Sequence, residues 1–133
     1  MSVFLGEFQH NLDDRGRLSL PKKLRQELAS REVVLTRGFE NCIFGYPKEI
    51  WLDEAKRQLE IPVFEQKGRS LRRYVFSAAV TAEIDKLGRV LIPMNLKDYA
   101  LIKNEVAVIG AGDHFEIWDS QKWKEYLKTI EPA

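Results

Sequence analysis

The chain has 133 residues, with 21 basic and 20 acidic residues and a formal net charge of +1. This length is enough for one compact domain with its own core. No apolar run approaches the roughly 18–20 residues of a membrane span, and the N-terminus lacks the pattern of a signal peptide. The single cysteine, Cys42, cannot form an internal disulfide, and no Cys/His cluster has zinc spacing. We therefore expect a cytoplasmic protein without a metal or cofactor.

The chain opens with a predicted strand–turn–strand–helix unit. Its segments are a strand in VFLGEFQHNL, a turn in DDRG, a short strand in RLSLP closed by Pro21, and a short helix in PKKLRQELA with Leu24 and Leu28 on one face. Gly16 suits the left-handed position that ends a three-residue hairpin loop. Asp13 and Arg17 would then flank the turn on opposite strands, where their charges can pair.

Two strands and two helices follow. VVLT and CIFGY predict strands joined by the loop 37–41, and PKEIWLDEAKRQLE predicts a helix. The apolar stripe of that helix is Trp51, Ala55 and Leu59. After Pro62, FEQKGRSLRRYVF predicts a basic connecting helix that Gly68 weakens. Segment 61–75 holds four basic residues and one acidic residue, a run that a solvated helix face or a nucleic-acid contact would explain.

The first unit then recurs. LDDRGRLSLP begins at position 12 and IDKLGRVLIP at position 84, a shift of 72 residues. The match extends from Phe4 on Phe76 to Trp51 on Trp123, with one single-residue slip. Asp85, Gly88 and Arg89 thereby take the positions of Asp13, Gly16 and Arg17. The last helix has a predicted buried face of Trp123, Tyr126, Leu127 and Ile130.

These elements predict an α+β protein. Residues 1–60 form a first unit, 61–75 a basic connecting helix and 76–133 a second unit. Each unit alone would expose sheet edges and half a core, so we expect the two to pack as one domain with pseudo-twofold symmetry. Tryptophans at helical spacing, such as Trp51, are expected in the core, although a subunit interface is the other interpretation.

The doubled D-x-x-G-R hairpin, followed each time by apolar residues, a proline and a short helix, resembles the AbrB-like swapped-hairpin DNA-binding proteins. Two such units in one chain resemble the MraZ family, and the likeness covers essentially the whole chain, including the helix starts Pro47–Trp51 and Asp119–Trp123. The resemblance implies a swapped-hairpin, β-barrel-like domain with flanking helices.

The same resemblance implies a function. It is that of a bacterial transcriptional regulator, which represses a division and cell-wall gene cluster that includes its own gene. It further implies a ring of several subunits on short direct repeats of double-stranded DNA upstream of that gene. Such a protein would act at the nucleoid, without a membrane or a small-molecule substrate.

The basic residues of the first unit are candidate DNA contacts. Arg15 and Arg17 are candidate base readers, because arginine bonds bidentately to guanine. Backbone contacts are expected from Lys22, Lys23 and Arg25, since such residues often position a protein through phosphates. Arg17 has a second explanation of equal weight, because its pair with Asp13 recurs in the second unit and can simply hold the hairpin.

The second unit carries fewer candidate contacts. Lys86 and Arg89 are its candidates, but Met94 and Asn95 replace the two lysines and Leu87 replaces Arg15. We therefore expect the first unit to make the main DNA contacts and the second to support the pseudo-dimer and the subunit interfaces.

Three other function classes compete with a regulator. An enzyme would have to use Cys42 and His114, which occupy matching positions in the two copies, but no nucleotide-binding or hydrolase motif accompanies them. We therefore predict no catalytic residues. An antitoxin of the same superfamily would carry one hairpin unit and a disordered tail, which the chain does not show. A scaffold without nucleic-acid binding leaves the basic run from Arg15 to Arg25 unexplained.

Overall fold

The computed structural model describes residues 3–132 and shows eight strands and five helices in that range. The first half contains β1 (Glu7–Asn11), β2 (Arg17–Ser19), α1 (Lys22–Arg25), β3 (Glu32–Arg37), β4 (Ile43–Pro47), α2 (Lys48–Leu59) and α3 (Gln66–Phe76). The second half contains β5 (Val80–Glu83), β6 (Arg89–Leu91), α4 (Met94–Tyr99), β7 (Glu105–Gly110), β8 (Phe115–Asp119) and α5 (Ser120–Ile130). Among these helices, none in the described range is both long and apolar enough to span a bilayer.

The two units exchange their first strands. One antiparallel sheet has the order β1-β7-β8-β4-β3-β5, so β1 pairs with the second unit and β5 with the first. A separate two-stranded ribbon joins β2 to β6. This is the predicted swapped-hairpin arrangement, and it explains why one unit alone would leave strand edges unpaired.

The strand register fixes a pseudo-twofold axis. Leu18 pairs with Val90 in the ribbon, and these are equivalent positions of the repeat. In the large sheet Phe44 pairs with Glu116, again equivalent positions. An axis through both pairs relates the two halves, as the repeat predicts.

The sheet separates two packed layers. On one face, the ribbon and helices α1 and α4 cover the main core, whose fully buried members include Leu18, Val90, Leu24 and Leu96. The opposite face carries α5, which packs its Trp123 against Trp118 of β8, and α3 over β3, where the buried Thr36 hydroxyl donates to the carbonyl of Val75 at 2.6 Å. The hairpins and the long helices therefore lie on opposite sides of the molecule.

The α+β class and the tandem units are confirmed, but the barrel is not closed. Within residues 3–132 no pairing joins β1 to β5, so the sheet remains open at both edges. The three-residue strands of the ribbon pair only with each other, so neither edge of the large sheet gains a strand from it.

Several local predictions need correction. The first strand begins at Glu7, because Gly6 has a φ of 104° and Phe4 contributes only an isolated bridge to Gly112. Helix α1 is a single turn, so Leu28 packs on the core from outside it. Pro21 precedes α1 as its N-cap, with an extended ψ of 138°.

The apolar faces of α2 and α5 also bury fewer residues than predicted. Helix α2, described throughout, buries none of its side chains fully, and Leu59 is 50% exposed. Trp51 is half-buried against Tyr46, whereas Trp123 is buried as predicted. Ile130 is exposed because it lies beyond Tyr126 and Leu127, the last residues of α5 that pack on the aromatic cluster.

Candidate nucleic-acid interface

An aspartate organises each hairpin turn. Asp13 Oδ1 accepts the backbone N–H groups of Arg15 and Arg17, both at 2.9 Å, and its Oδ2 accepts Nε of Arg17 at 2.7 Å. Gly16 has a φ of 78°, a left-handed value that a glycine adopts without strain. These hydrogen bonds, chiefly the one from the Arg17 backbone, lower the pKa of Asp13 to about 2.

The second turn repeats this geometry. Asp85 accepts the backbone N–H groups of Leu87 and Arg89 at 2.9 Å and the Arg89 side chain at 2.9 Å. Gly88 has a φ of 80°. The backbone bond from Arg89 is the main cause that lowers the pKa of Asp85. Both turns therefore hold an arginine beside an ionised carboxylate.

The two hairpins meet in the ribbon. Leu20 N–H donates to the Gly88 carbonyl and Ile92 N–H to the Gly16 carbonyl, each at 3.0 Å, so each turn is tied to the other hairpin. Leu18 and Val90 point into the core. By strand alternation the outer face of the ribbon carries Arg17, Ser19, Arg89 and Leu91. A two-stranded ribbon of this kind fits the major groove of B-DNA.

The two arginines of the ribbon keep donors available. The bonds to Asp13 and Asp85 use Nε, and the terminal guanidinium nitrogens of Arg17 make no hydrogen bond to any residue within 3–132. The Arg17 side chain is 27% exposed. Arg17 can therefore hold the hairpin and still present two nitrogens to an acceptor, which removes the conflict between its two interpretations.

The other candidate residues are placed unequally. Arg15 is exposed at the first turn and Lys86 at the second, and Lys22 is exposed at the start of α1. Lys23 is exposed but borders a cleft that Glu7 and Glu27 also line, so its charge has acidic neighbours.

Arg25 has a structural contact that the sequence pattern did not show. Its Nε donates to the Leu20 carbonyl at 3.0 Å, and its guanidinium lies against the backbone of Gly88, where a Cβ would be 2.8 Å from Cζ. Arg25 thus braces the second hairpin. Its place in the repeat falls on Lys97, which does not repeat this contact, since a Cβ built on Gly16 would have only the Ile92 carbonyl within 4 Å, at 3.9 Å.

Part of the basic run in the connecting helix also has internal partners. Arg69 donates to the carbonyls of Val63 and Phe64, at 3.1 and 2.9 Å. Arg72 donates to those of Leu59 and Ile61, at 3.1 and 3.0 Å. The Arg72 bonds cap the C-terminal end of α2, and the Arg69 bonds hold the loop between α2 and α3, which favours the structural interpretation of this run.

The residues of the enzyme alternative lie in the helix layer. The Cys42 thiol is fully buried and donates to the Phe39 carbonyl at 3.2 Å, and burial raises its pKa well above its usual range. A buried thiol of this kind is a poor nucleophile.

His114 is held between two carboxylates. Its ring nitrogens lie 2.8 Å from Asp113 and 2.9 Å from Glu116, and the ring stacks on Tyr46. Burial acts to lower the pKa of His114, but the two carboxylates together outweigh burial and raise it above 6.5. Within residues 3–132, no group of three or more His, Cys, Asp or Glu side chains is arranged to hold a metal ion.

Comparison with known proteins gives one consistent answer. A family model described as "MraZ protein, putative antitoxin-like" matches residues 3–74 and again residues 75–133. Curated relatives named transcriptional regulator MraZ include those of Syntrophomonas wolfei (41% identical, covering 98% of this chain and 91% of the relative), Halothermothrix orenii (40%; 98% and 91%) and Roseiflexus castenholzii (38%; 97% and 90%).

Proposed function

The chain belongs to the MraZ family, and from this premise we propose that it is a sequence-specific DNA-binding transcriptional regulator. The observation that supports the proposal most is the outer face of the β2–β6 ribbon, where Arg17 and Arg89 lie between two exposed turns. The names of the relatives point the same way, since each is called a transcriptional regulator.

The first unit makes the main contacts. Arg15 projects from its turn, and Arg17 offers terminal guanidinium nitrogens that are held in place by Asp13. An arginine fixed in this way can donate two bonds to guanine, which discriminates by about 1–3 kcal/mol against another base. Lys22 and Lys23 contact phosphates and contribute affinity rather than sequence preference.

The second unit plays a lesser electrostatic part. Lys86 and Arg89 add positive charge near the ribbon, but Met94 and Asn95 stand where the first unit has its lysines. Arg25 acts mainly by fixing the position of the second turn, through its contacts with Leu20 and Gly88.

We further propose that the protein works as a ring of several copies on direct repeats upstream of its own gene and represses that gene cluster. One copy presents few cations, so its binding to a single site is weak and falls steeply with salt. Several linked copies gain avidity through effective concentration. The helix layer carries exposed apolar side chains suited to contacts between copies, namely Leu52, Leu59, Val63 and Phe64. The ribbon face then stays open to DNA at the nucleoid.

Fluorescence anisotropy tests the proposal. The protein is titrated onto duplex DNA from immediately upstream of its own gene, at physiological salt and with excess random competitor DNA. We expect tight binding that survives the competitor and is lost in Arg15→Ala. The matched control is Arg73→Ala, which removes an exposed arginine of the helix layer and should bind as the unaltered protein does. Binding that disappears with competitor equally in all three proteins would show that the basic face is nonspecific.

A further inference from the structure

The two hairpins differ in polarity at three equivalent positions. Arg15, Ser19 and Lys22 in the first unit become Leu87, Leu91 and Met94 in the second. These three apolar side chains are 71%, 57% and 66% exposed, respectively. The second hairpin therefore shows an apolar surface where the first shows a polar and basic one, and we call Leu87, Leu91 and Met94 the apolar patch.

Leu91 of the apolar patch lies on the proposed DNA-binding face. Leu91 lies directly opposite Arg17 in the ribbon, and Ser19 opposite Arg89. Side chains of directly opposed residues lie on the same face, with Cβ atoms roughly 4.5–5.5 Å apart. A molecule that covers Leu91 must therefore also meet Arg17.

The position of Arg17 beside the apolar patch indicates which kind of molecule binds there. A second copy seated on the patch would bury the terminal nitrogens of Arg17, which have no acceptor among the described residues, and burying unsatisfied donors is unfavourable. Major-groove DNA offers both kinds of partner side by side, because guanine supplies acceptors for arginine and the C5-methyl group of thymine supplies an apolar contact.

We propose that the apolar patch reads thymine methyl groups in the DNA segment next to the one read by Arg15 and Arg17. This inference rests on the proposed function and specifies the bases that the second hairpin recognises. It gives each binding site a direction, because one half of the pseudo-dimer reads polar base edges and the other reads methyl groups. A protein with two equal halves would instead select a palindrome. Copies in a ring, all facing the same way round, then match direct repeats.

The test removes the methyl groups and nothing else. Binding is measured on the upstream duplex and on the same duplex with every thymine replaced by deoxyuridine. The unaltered protein should bind the deoxyuridine duplex at least roughly fourfold more weakly, the effect of losing one buried methyl contact. The double variant Leu87→Ala/Leu91→Ala should bind both duplexes equally. Ile130→Ala removes an exposed apolar side chain from α5, in the helix layer, and should keep the full difference.

Three results would contradict the proposals, and each identifies a different error. If the double variant still distinguishes the two duplexes, methyl loss acts through DNA shape and the inference is wrong. If the double variant lowers the oligomer size by light scattering while keeping the difference, the patch is a contact between copies, which also overturns it. If the unaltered protein shows no specific binding to the thymine duplex, the proposed function itself fails.

Discussion

Gly45 leaves the space that the ring of Phe115 occupies at the centre of the sheet. The two residues are paired between β4 and β8, and a Cβ on Gly45 would overlap the ring carbons Cε2 and Cζ and lie 2.9 Å from Cδ2. The ring has no exposed surface and packs edge-on against the equally buried Phe4, with centroids 5.8 Å apart. The ring therefore cannot move away without displacing a second aromatic side chain.

The substitution Gly45→Ala should destabilise the fold by overpacking. Such insertions cost about 1–3 kcal/mol. The loss of unfolded-state entropy on replacing glycine works in the opposite direction by about 0.4–1 kcal/mol. The net effect should be a loss of about 1.3 kcal/mol, or roughly 5 °C in Tm for a chain of 133 residues. Thermal unfolding followed by circular dichroism, at one protein concentration, measures it.

A second substitution shows whether the ring is the cause. Phe115→Leu removes the overlapping atoms, so Gly45→Ala should cost at least about 1 kcal/mol less in that background than alone. The pseudo-equivalent pair on the other side of the axis is Ile43 with Ile117, which shows that two medium side chains can fill the same volume. A neutral Gly45→Ala, or strictly additive effects, would refute this account of the packing.

Three polar contacts give further expectations. Because the pKa of His114 is raised in the folded protein, the stabilising contribution of its charged form is complete below pH 6.5. The difference in unfolding free energy between the protein and His114→Gln should therefore shrink as the pH rises through the folded pKa. A difference in urea unfolding that does not change with pH would contradict this. Asp13 should titrate near pH 2 by NMR, with its support of the turn lost as the pH falls from 3.8 towards that value; an ordinary titration would show that the turn is open in solution. Arg72→Met should lower the free energy of unfolding by about 1–2 kcal/mol and raise the rate of hydrogen exchange at the end of α2. Substitution of the exposed Arg73 by Met should change the free energy of unfolding by no more than about 0.5 kcal/mol. Equal effects of the two substitutions would exclude the capping role.

The hairpins and their symmetry were predictable because their signals are local and repeated. An aspartate three residues before a glycine, with arginine next, describes one turn whose hydrogen bonds all lie within five residues. The shift of 72 positions then requires two such turns, and their shared need for strand partners predicts that the two units pack together, while the exchange of strands was implied by the family resemblance. The register that pairs Leu18 with Val90 follows directly from that symmetry.

What was not predictable depends on contacts between distant residues. Arg25 reads as one more cation in a basic helix, and only the folded chain brings it against Gly88. Arg72 likewise reads as part of a basic patch until the turn after α2 places carbonyl groups beside it. The open sheet and the exposure of Ile130 depend on element lengths, which periodicity defines poorly. The domain limits at 60 and 75 and the roles assigned to the DNA-binding residues stay predictions.

The central claim is that DNA is bound mainly through the first hairpin and its adjoining helix. Its most direct test compares two charge reversals by anisotropy on the upstream duplex, Arg15→Glu/Lys23→Glu in the first unit and Lys86→Glu/Lys97→Glu in the second. Both variants change the net charge equally, so a nonspecific electrostatic effect would weaken them alike. We predict that the first reversal abolishes specific binding and that the second weakens it only modestly. Equal loss in the two variants would contradict the asymmetry between the hairpins.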